Sequence, residues 1–409
     1  MDASCHSHRA SSSRALRRPA IVLLGMLTAL DAMAIDSYLP ALPAIARDMD
    51  ASVVEAQVTL SIFLIGLAAG QALWGPISDR FGRRGPILAG LAVYCLGSLG
   101  GMMAPSMELL IAARFLQAIG ASAGLVLARA IISDLWDPDA AARLYSIMMQ
   151  VLGVTALVSP LLGGALLLVS GWRLIFLFLF VAGLATMAWS YAGIPESLPP
   201  ERRQRAQGIF SGYGKLFRQP VFLLATIAAA FGTATMFATL SGSSFLFIDQ
   251  YGWSSTEFSI LYASSSVAFI GVCQINNWML PKLGDEALLK IGMALQFLIT
   301  AAMMASLFAG VAGAMVFAVL WVLLMANLGI LLGNAVSLAM RHAPEGFAGT
   351  ASAFLGVLQF SVSALASPLA GASADLALSF AGTAFGCAGV ALLATLLALR
   401  SGSKAEMLR

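Results

Sequence analysis

Long apolar segments recur along the whole chain and leave little room for a soluble fold. A helix needs about 20 predominantly apolar residues to cross the hydrocarbon core of a bilayer. Of the 409 residues, 59% are hydrophobic and only 11% are charged, and the mean hydropathy is +0.88. An ordinary soluble domain carries about 25% charged residues. The chain is therefore predicted to be an all-α membrane protein that crosses the bilayer many times.

Counting these segments predicts twelve spanning helices, which we number α1 to α12. They lie near 20–42, 54–77, 86–104, 108–130, 142–167, 173–194, 220–242, 256–279, 288–309, 312–335, 349–370 and 377–399. The longest polar stretch, 195–219, is rich in Arg and predicts a cytoplasmic linker. It separates an N-terminal half, 20–194, from a C-terminal half, 220–400, and leaves tails at 1–19 and 401–409.

The positions of the basic residues predict the orientation. Of the 23 Lys and Arg residues, 20 fall in the tails, the even-numbered loops or the helix ends that adjoin those loops, two (Arg47 and Arg173) lie in or next to odd-numbered loops, and Arg114 lies deep inside α4. Lys and Arg accumulate in cytoplasmic loops, so both termini are predicted to be cytoplasmic. The stretch 32–34, Ala-Met-Ala, resembles a signal-peptidase site, but cleavage there would remove most of a segment long enough to span.

Two carboxylates interrupt the apolar run of α1. An Asp near the centre of a spanning helix costs about 2.5–3.5 kcal/mol on insertion scales, so Asp31 and Asp36 must face protein or water. They lie about 7.5 Å apart along a helix and about 140° apart around it, which predicts different neighbours and different roles. Each is a candidate functional residue, and the alternative is that it only joins two helices.

Arg114 is the buried basic residue that helix geometry brings level with Asp36. Asp36 lies about 8 Å below the outer boundary and Arg114 about 9 Å below it. A lone buried Arg is far costlier than one that faces a carboxylate, so a charge-assisted contact between them is predicted. Asp31 has no basic residue at its depth and is predicted to bind and release a proton. The residues leave open which Asp carries the transported proton, and α7–α12 offer only neutral polar groups.

The loop after α2 contains Gly75, Asp79, Arg80, Gly82, Arg83 and Arg84. The glycines permit tight turns, and the Asp79 carboxylate can accept hydrogen bonds from the free N–H groups of a helix start. The small-residue opening of α11, Gly349-Thr350, is the candidate partner. The alternative is that the arginines only set topology. A faint echo after α8, Pro281-Lys282-Leu283-Gly284-Asp285, suggests that the halves are related.

Two further motifs lie in α4 and α5. The α4 motif is Arg114-x-x-Gln117 followed by Gly120. In α5, Pro160 removes an internal hydrogen bond, and Gly163 and Gly164 allow a neighbouring backbone to come close. These small residues are predicted to permit tight packing at a moving interface, although small residues are also common at ordinary helix contacts in membranes.

These stretches resemble the major facilitator superfamily. The loop after α2 is similar to its signature G-x-x-x-D-R-x-G-R-R/K. The α4 and α5 motifs, the opening of α11 and the run Asp36-Ser37-Tyr38-Leu39-Pro40 resemble the bicyclomycin- and chloramphenicol-resistance (Bcr/CflA) branch of the twelve-helix drug:proton antiporters. Two positions depart from the wider antiporter pattern, since Ser159 precedes Pro160 and Ala118 follows Gln117 where glycines are expected.

The resemblance implies the major facilitator fold and proton-coupled export of amphipathic drugs, of the chloramphenicol, florfenicol or bicyclomycin type, across a bacterial inner membrane. It implies a monomer with no cofactor or metal, and with the proton as coupling ion. Asp36, Asp31 and Arg114 would serve proton coupling, and the loop after α2 would hold the halves together when the cavity faces outward. Expected substrate contacts are Tyr38, Gln150, Met236, Phe237 and Gln359.

The sequence also bears on other functions. Export of a native metabolite such as a nucleoside, sugar or amino acid stays open as an alternative substrate class. No GxxxxGK[ST] loop is present, so ATP bound to this chain is not the predicted energy source. The four cysteines are scattered singly, and no nucleophile–base pair or metal-ligand cluster is evident. An enzyme or a non-transporting receptor is therefore not predicted.

Overall fold

The computed structural model describes residues 18–136, 138–198, 216, 219–343, 348–373 and 375–407. Most of the predicted N-terminal tail and most of the predicted linker lie outside these residues, so the predicted domain boundaries stay predictions. Within the described residues the secondary structure is helical, as predicted.

The helices follow the predicted order. Their bounds are α1 Arg18–Asp36, α2 Val53–Phe81, α3 Arg84–Met102, α4 Met107–Leu135, α5 Pro138–Ser170, α6 Arg173–Gly193, α7 Pro220–Ser244, α10 Ala314–Arg341, α11 Ala348–Leu369 and α12 Leu376–Met407. A π-helical turn, Phe245–Gln250, continues α7. Several helices extend one or two turns beyond their predicted ends, because hydropathy marks only the part inside the hydrocarbon core.

The remaining helical run, Ser255–Phe308, contains both α8 and α9. Its 54 residues would measure about 80 Å as one straight helix, far longer than a bilayer core of about 30 Å. Gly284, with φ of 76°, breaks the run and lets the chain reverse. Eleven helical runs in the described part of the chain are long and apolar enough to span, and this break gives twelve crossings.

The end of α1 differs from its prediction. The helix stops at Asp36 rather than near residue 42, and a 3₁₀ turn, Leu39–Ala41, leads into a short helix, Leu42–Asp48. Pro40 and Pro43 explain the interruption, because each lacks an N–H and restricts the residue before it. The break leaves Asp36 as the last residue of the helix, next to non-α-helical backbone.

The two halves use the same devices at corresponding helices. Ser52 and Glu55 form a capping box at the start of α2, and Ser254 and Glu257 form one at the start of α8. A glycine with positive φ then ends each helix at the same spacing, Gly82 in the first half and Gly284 in the second. The predicted relation between the halves is visible in these shared signals.

The halves meet along two helix pairs, α2 with α11 and α5 with α8. We call the end of the bundle with the α1–α2 and α7–α8 loops the far end, and the end with the chain termini the termini end. Arg47 pairs with Asp249 across the halves at the far end, with nitrogen and oxygen 2.6 Å apart. Gln57 of α2 packs against Gly371, just after α11, at the same end. These contacts close the far end.

Candidate functional site

Asp36 lies at the interface between the halves. Its carboxylate accepts a hydrogen bond of 2.8 Å from the Tyr262 hydroxyl of α8, and both residues are buried. The Tyr262 ring lies among aromatic rings of the C-terminal half, with centroids 5.8 Å from Trp321 and 6.4 Å from Phe258. A buried carboxylate of the first half therefore makes a direct contact with the second half. Sequence reasoning did not assign this contact to Tyr262.

Arg114 does not pair with Asp36, so the predicted ion pair is wrong in this structure. The completely buried guanidinium donates hydrogen bonds to the Ala34 carbonyl at 3.0 Å and to the Gln117 side-chain oxygen at 2.7 Å. It also lies between two aromatic rings, 4.4 Å from the centroid of Tyr38 and 4.1 Å from that of Phe63. The predicted depth of Arg114 is correct, because Ala34 is only two residues from Asp36. The prediction that the Asp36 carboxylate points toward Arg114 is wrong.

The rest of the α4 motif supports this arrangement. Gln117 donates a hydrogen bond to Ser98 of α3 at 2.9 Å, so it connects Arg114 to a third helix. Gly120 lies directly against the main chain of Tyr94, where a side chain would not fit. The motif therefore fixes the position of the guanidinium within the N-terminal half.

Asp31 lies more than one turn before Asp36 on α1. Its Oδ1 atom is buried and has no hydrogen-bond partner among the described residues. The charge of Arg129 of α4 acts on this carboxylate, but Gly124 packs against Leu27, so Arg129, five residues further along α4, lies nearer the termini end than Asp31. The expectation that no basic residue lies at the depth of Asp31 stays a prediction. Asp31 and Asp36 have different neighbours, as predicted. Sequence reasoning did not single out Arg129, which stands near the predicted end of α4.

The α5 motif contacts the segment around Asp36. Pro160 lies within α5. Gly163, three residues later, packs directly against the main-chain oxygen of Ser37. Gly164 faces the Ser259 hydroxyl of α8, across the boundary between the halves. The two glycines therefore serve different contacts, one with the broken end of α1 and one with the opposite half.

The loop after α2 forms a network within the N-terminal half. Arg83 contacts Asp79 at 2.6 Å and Asp134 of α4 at 2.9 Å, and Glu196 accepts hydrogen bonds from the main-chain N–H groups of Arg83 and Arg84. Burial acts to lower the pKa of the Arg83 guanidinium, but the hydrogen bonds to Asp134 and Asp79 outweigh it and raise that pKa above its usual value. Sequence reasoning identified neither Asp134 nor Glu196.

Other residues of this loop have ordinary surroundings. Gly75 has open space beside it, Gly82 takes a φ of 91° that favours glycine, and Arg80 lies over the ring of Phe81. Asp79 is half exposed and contacts Arg83. The surroundings of Gly349 and the side chain of Thr350 lie outside the described part of the structure, so the contact between Asp79 and the start of α11 stays a prediction.

The expected substrate contacts differ in burial and in the groups that they contact. Tyr38 is fully buried in the N-terminal half, where its hydroxyl lies 2.7 Å from the Thr59 hydroxyl, so it offers no surface to a ligand in this structure. Gln359 donates to Thr233 of α7 at 3.1 Å. Of the other expected contacts, Met236 is half buried, Phe237 is buried against Phe360, and Gln150 is exposed on α5.

The C-terminal half holds only neutral groups among its described buried polar residues, as predicted. Asn334 donates to Asn276 at 2.8 Å, and Asn327 donates to the Gly292 carbonyl at 2.8 Å. These contacts join α8, α9 and α10 to one another. Buried ionisable groups that can serve coupling therefore lie in the first half, with Tyr262 contacting one of them from the second.

Comparison with known proteins agrees with the fold and the motifs. The family model "Major Facilitator Superfamily" matches residues 24–368. The chain is 31% identical to the "Bicyclomycin resistance protein homolog" of Haemophilus influenzae over 84% of this chain and 87% of that protein. It is 33% identical to the "Chloramphenicol resistance protein" of Pseudomonas aeruginosa over 67% of this chain and 65% of that protein. A crystal structure of a D-xylose-proton symporter has a TM-score of 0.74 at 17% identity, covering 92% of this chain and 95% of that one.

The family match and these relatives identify a multi-pass membrane transporter and not an enzyme. The chain belongs to the Major Facilitator Superfamily. The relatives named above confirm the resemblance to its bicyclomycin- and chloramphenicol-resistance branch.

Proposed function

We propose that the protein exports amphipathic drugs of the chloramphenicol or bicyclomycin type in exchange for protons. The observation that carries the coupling is the buried Asp36 carboxylate, which contacts the opposite half through Tyr262. An intramembrane carboxylate at a moving interface can change its charge and its contacts together. The names of the two resistance proteins support the drug class, and they favour it over a native metabolite.

The distribution of basic residues supports a cytoplasmic position for the termini end, in the inner membrane of a bacterium. The far end then faces the periplasm and is closed in this structure. In such a conformation drug enters from the cytoplasmic side, and the far end must open to release it. We propose that the transporter works as a monomer and needs no cofactor other than the coupling proton.

Coupling follows if drug and proton favour different states of the same site. Arrival of a proton at Asp36 neutralises the carboxylate and weakens its hydrogen bond with Tyr262. Drug that binds best to the ionised state would disfavour the proton, and linkage makes this effect reciprocal. Asp31 supplies a second carboxylate on the same helix that can exchange protons.

The test is transport by the purified protein in proteoliposomes with an imposed pH gradient. Gradient-driven accumulation of radiolabelled chloramphenicol is expected, and Asp36→Asn should abolish it. Asp48→Asn is the matched control, because this carboxylate pairs with Arg173 at the exposed far end and lies outside the proposed site. Accumulation that ignores the gradient would refute the coupling. Competition by nucleosides but not by drugs would refute the substrate class.

A further inference from the structure

Three side-chain hydrogen bonds join the two halves in the described part of the chain. Arg47 binds Asp249 at the exposed far end, Ser266 donates to the Ala156 carbonyl, and Tyr262 donates to Asp36. In the last of these both side chains are buried and the acceptor is ionisable. This bond therefore has a strength that depends on whether Asp36 carries a proton.

The direction of that dependence follows from the donor. A hydrogen bond to an ionised carboxylate is roughly twice as strong as one between neutral groups. The Tyr262 hydroxyl therefore holds the halves together most strongly when Asp36 has lost its proton. The charged groups near Asp36 in the described structure are Asp31 on the same helix and Arg114 on α4. Because Arg114 binds the Ala34 carbonyl instead, no described basic side chain competes with Tyr262 for the carboxylate.

We propose that Tyr262 is a positioning residue that locks the transporter closed at the far end while Asp36 is ionised, so that the empty carrier stays closed until a proton weakens this bond or bound drug displaces it. This proposal rests on the proposed proton-coupled export. If the empty carrier changed conformation, drug could leak down its own gradient without proton exchange, so the lock prevents that slip. The same bond favours release of the Asp36 proton toward the termini end while the far end is closed. Linkage requires this, because a contact that ionisation strengthens also promotes ionisation.

Transport separates this role from a merely structural one. Tyr262→Phe removes the hydroxyl and keeps the ring. It should lower gradient-driven accumulation at least tenfold while drug efflux down its own gradient, without a pH difference, stays equal or becomes faster. Tyr251→Phe is the matched control, because its hydroxyl donates to the Ala312 carbonyl inside one half, and it should leave both activities unchanged. Retained accumulation in Tyr262→Phe, or loss of both activities, would overturn the proposal.

Opening of the far end can be measured without transport. Gln57 is completely buried where α2 meets Gly371, so a cysteine at position 57 reports opening of the far end. In a background without the native cysteines, a membrane-impermeant maleimide at pH 8 should label Gln57→Cys at least fivefold faster when Tyr262→Phe is also present. Equal labelling rates would refute the lock. Slow labelling of the Gln57→Cys variant that keeps Tyr262, together with no gradient-driven transport by the wild-type protein, would instead refute the proposed function.

Discussion

Two adjacent glycines of α5 face different kinds of atom, and the difference tests how the far end closes. A Cβ on Gly163 would overlap the main-chain oxygen of Ser37, whereas a Cβ on Gly164 would overlap the side-chain oxygen of Ser259. Real Cβ atoms essentially never approach another heavy atom within 3.0 Å, so both alanine variants force a movement. Only the second obstacle can be removed by a further substitution.

The expected magnitudes follow from these contacts. Overpacking a well-packed site typically costs about 1–3 kcal/mol, so each alanine should lower the free energy of unfolding by about that amount. Ser259→Ala removes the oxygen that Gly164→Ala meets and leaves the Ser259 Cβ at 3.3 Å, which a small movement accommodates. The Gly164/Ser259 pair should therefore show a coupling energy of about 1–3 kcal/mol. A Cβ on Gly163 would not meet Ser259, so this pair should show a smaller coupling energy, about 0.5 kcal/mol or less.

The measurement is a double-mutant cycle on the free energy of unfolding in mixed detergent micelles, with drug export in proteoliposomes as the second readout. Gly153→Ala is the control in the same helix, since its Cβ would meet only Ile270 at an ordinary 3.7 Å. It should leave stability unchanged or raise it by up to about 1 kcal/mol through helix propensity. Equal rescue of both glycine variants by Ser259→Ala would refute the assignment, and so would rescue of neither.

Three further variants test the remaining sites. Asp79→Asn should abolish transport, whereas drug binding to detergent-solubilised protein, measured by calorimetry, should stay within about twofold because the loop lies at the termini end. Parallel loss of binding would contradict this. Asp31→Asn should reduce drug-evoked proton release from inverted vesicles, and unchanged release would mean that Asp31 is structural. Arg114→Lys should lower the thermal unfolding midpoint and export together, because an ammonium cannot reproduce the stack between two rings; full activity would show that charge alone suffices.

The helices and the division into halves could be predicted because the bilayer dictates them. Spanning segments must be apolar for about 20 residues, and this requirement is visible in the composition of each window. The chain reversal at Gly284 was also visible in the sequence, because residues 281–285 echo the loop after α2, which contains Gly82. Local signals of this kind depend on residues within one or two turns, so the sequence carries them directly.

The contacts between helices could not be predicted in the same way. Tyr262 meets Asp36 from more than 200 positions away, and its partner depends on how α1 and α8 are rotated about their axes. Depth arithmetic gives height along the membrane normal but says nothing of that rotation. Asp134 and Glu196, which contact Arg83, belong to other parts of the chain. Their pairing with Arg83 also depends on how the helices pack. Pairing across helices is a property of the packed bundle.

The failure of the predicted ion pair has a specific cause in the end of α1. The last carbonyl groups of a helix lack intrahelical partners and carry the negative end of its dipole. Because α1 stops at Asp36, the Ala34 carbonyl is one of these acceptors, and Arg114 binds it in place of a carboxylate. The buried guanidinium is thus stabilised by a helix terminus and two aromatic rings. That arrangement leaves the Asp36 carboxylate to the Tyr262 hydroxyl, so a change in its protonation acts on the contact between the halves rather than on an ion pair within one of them.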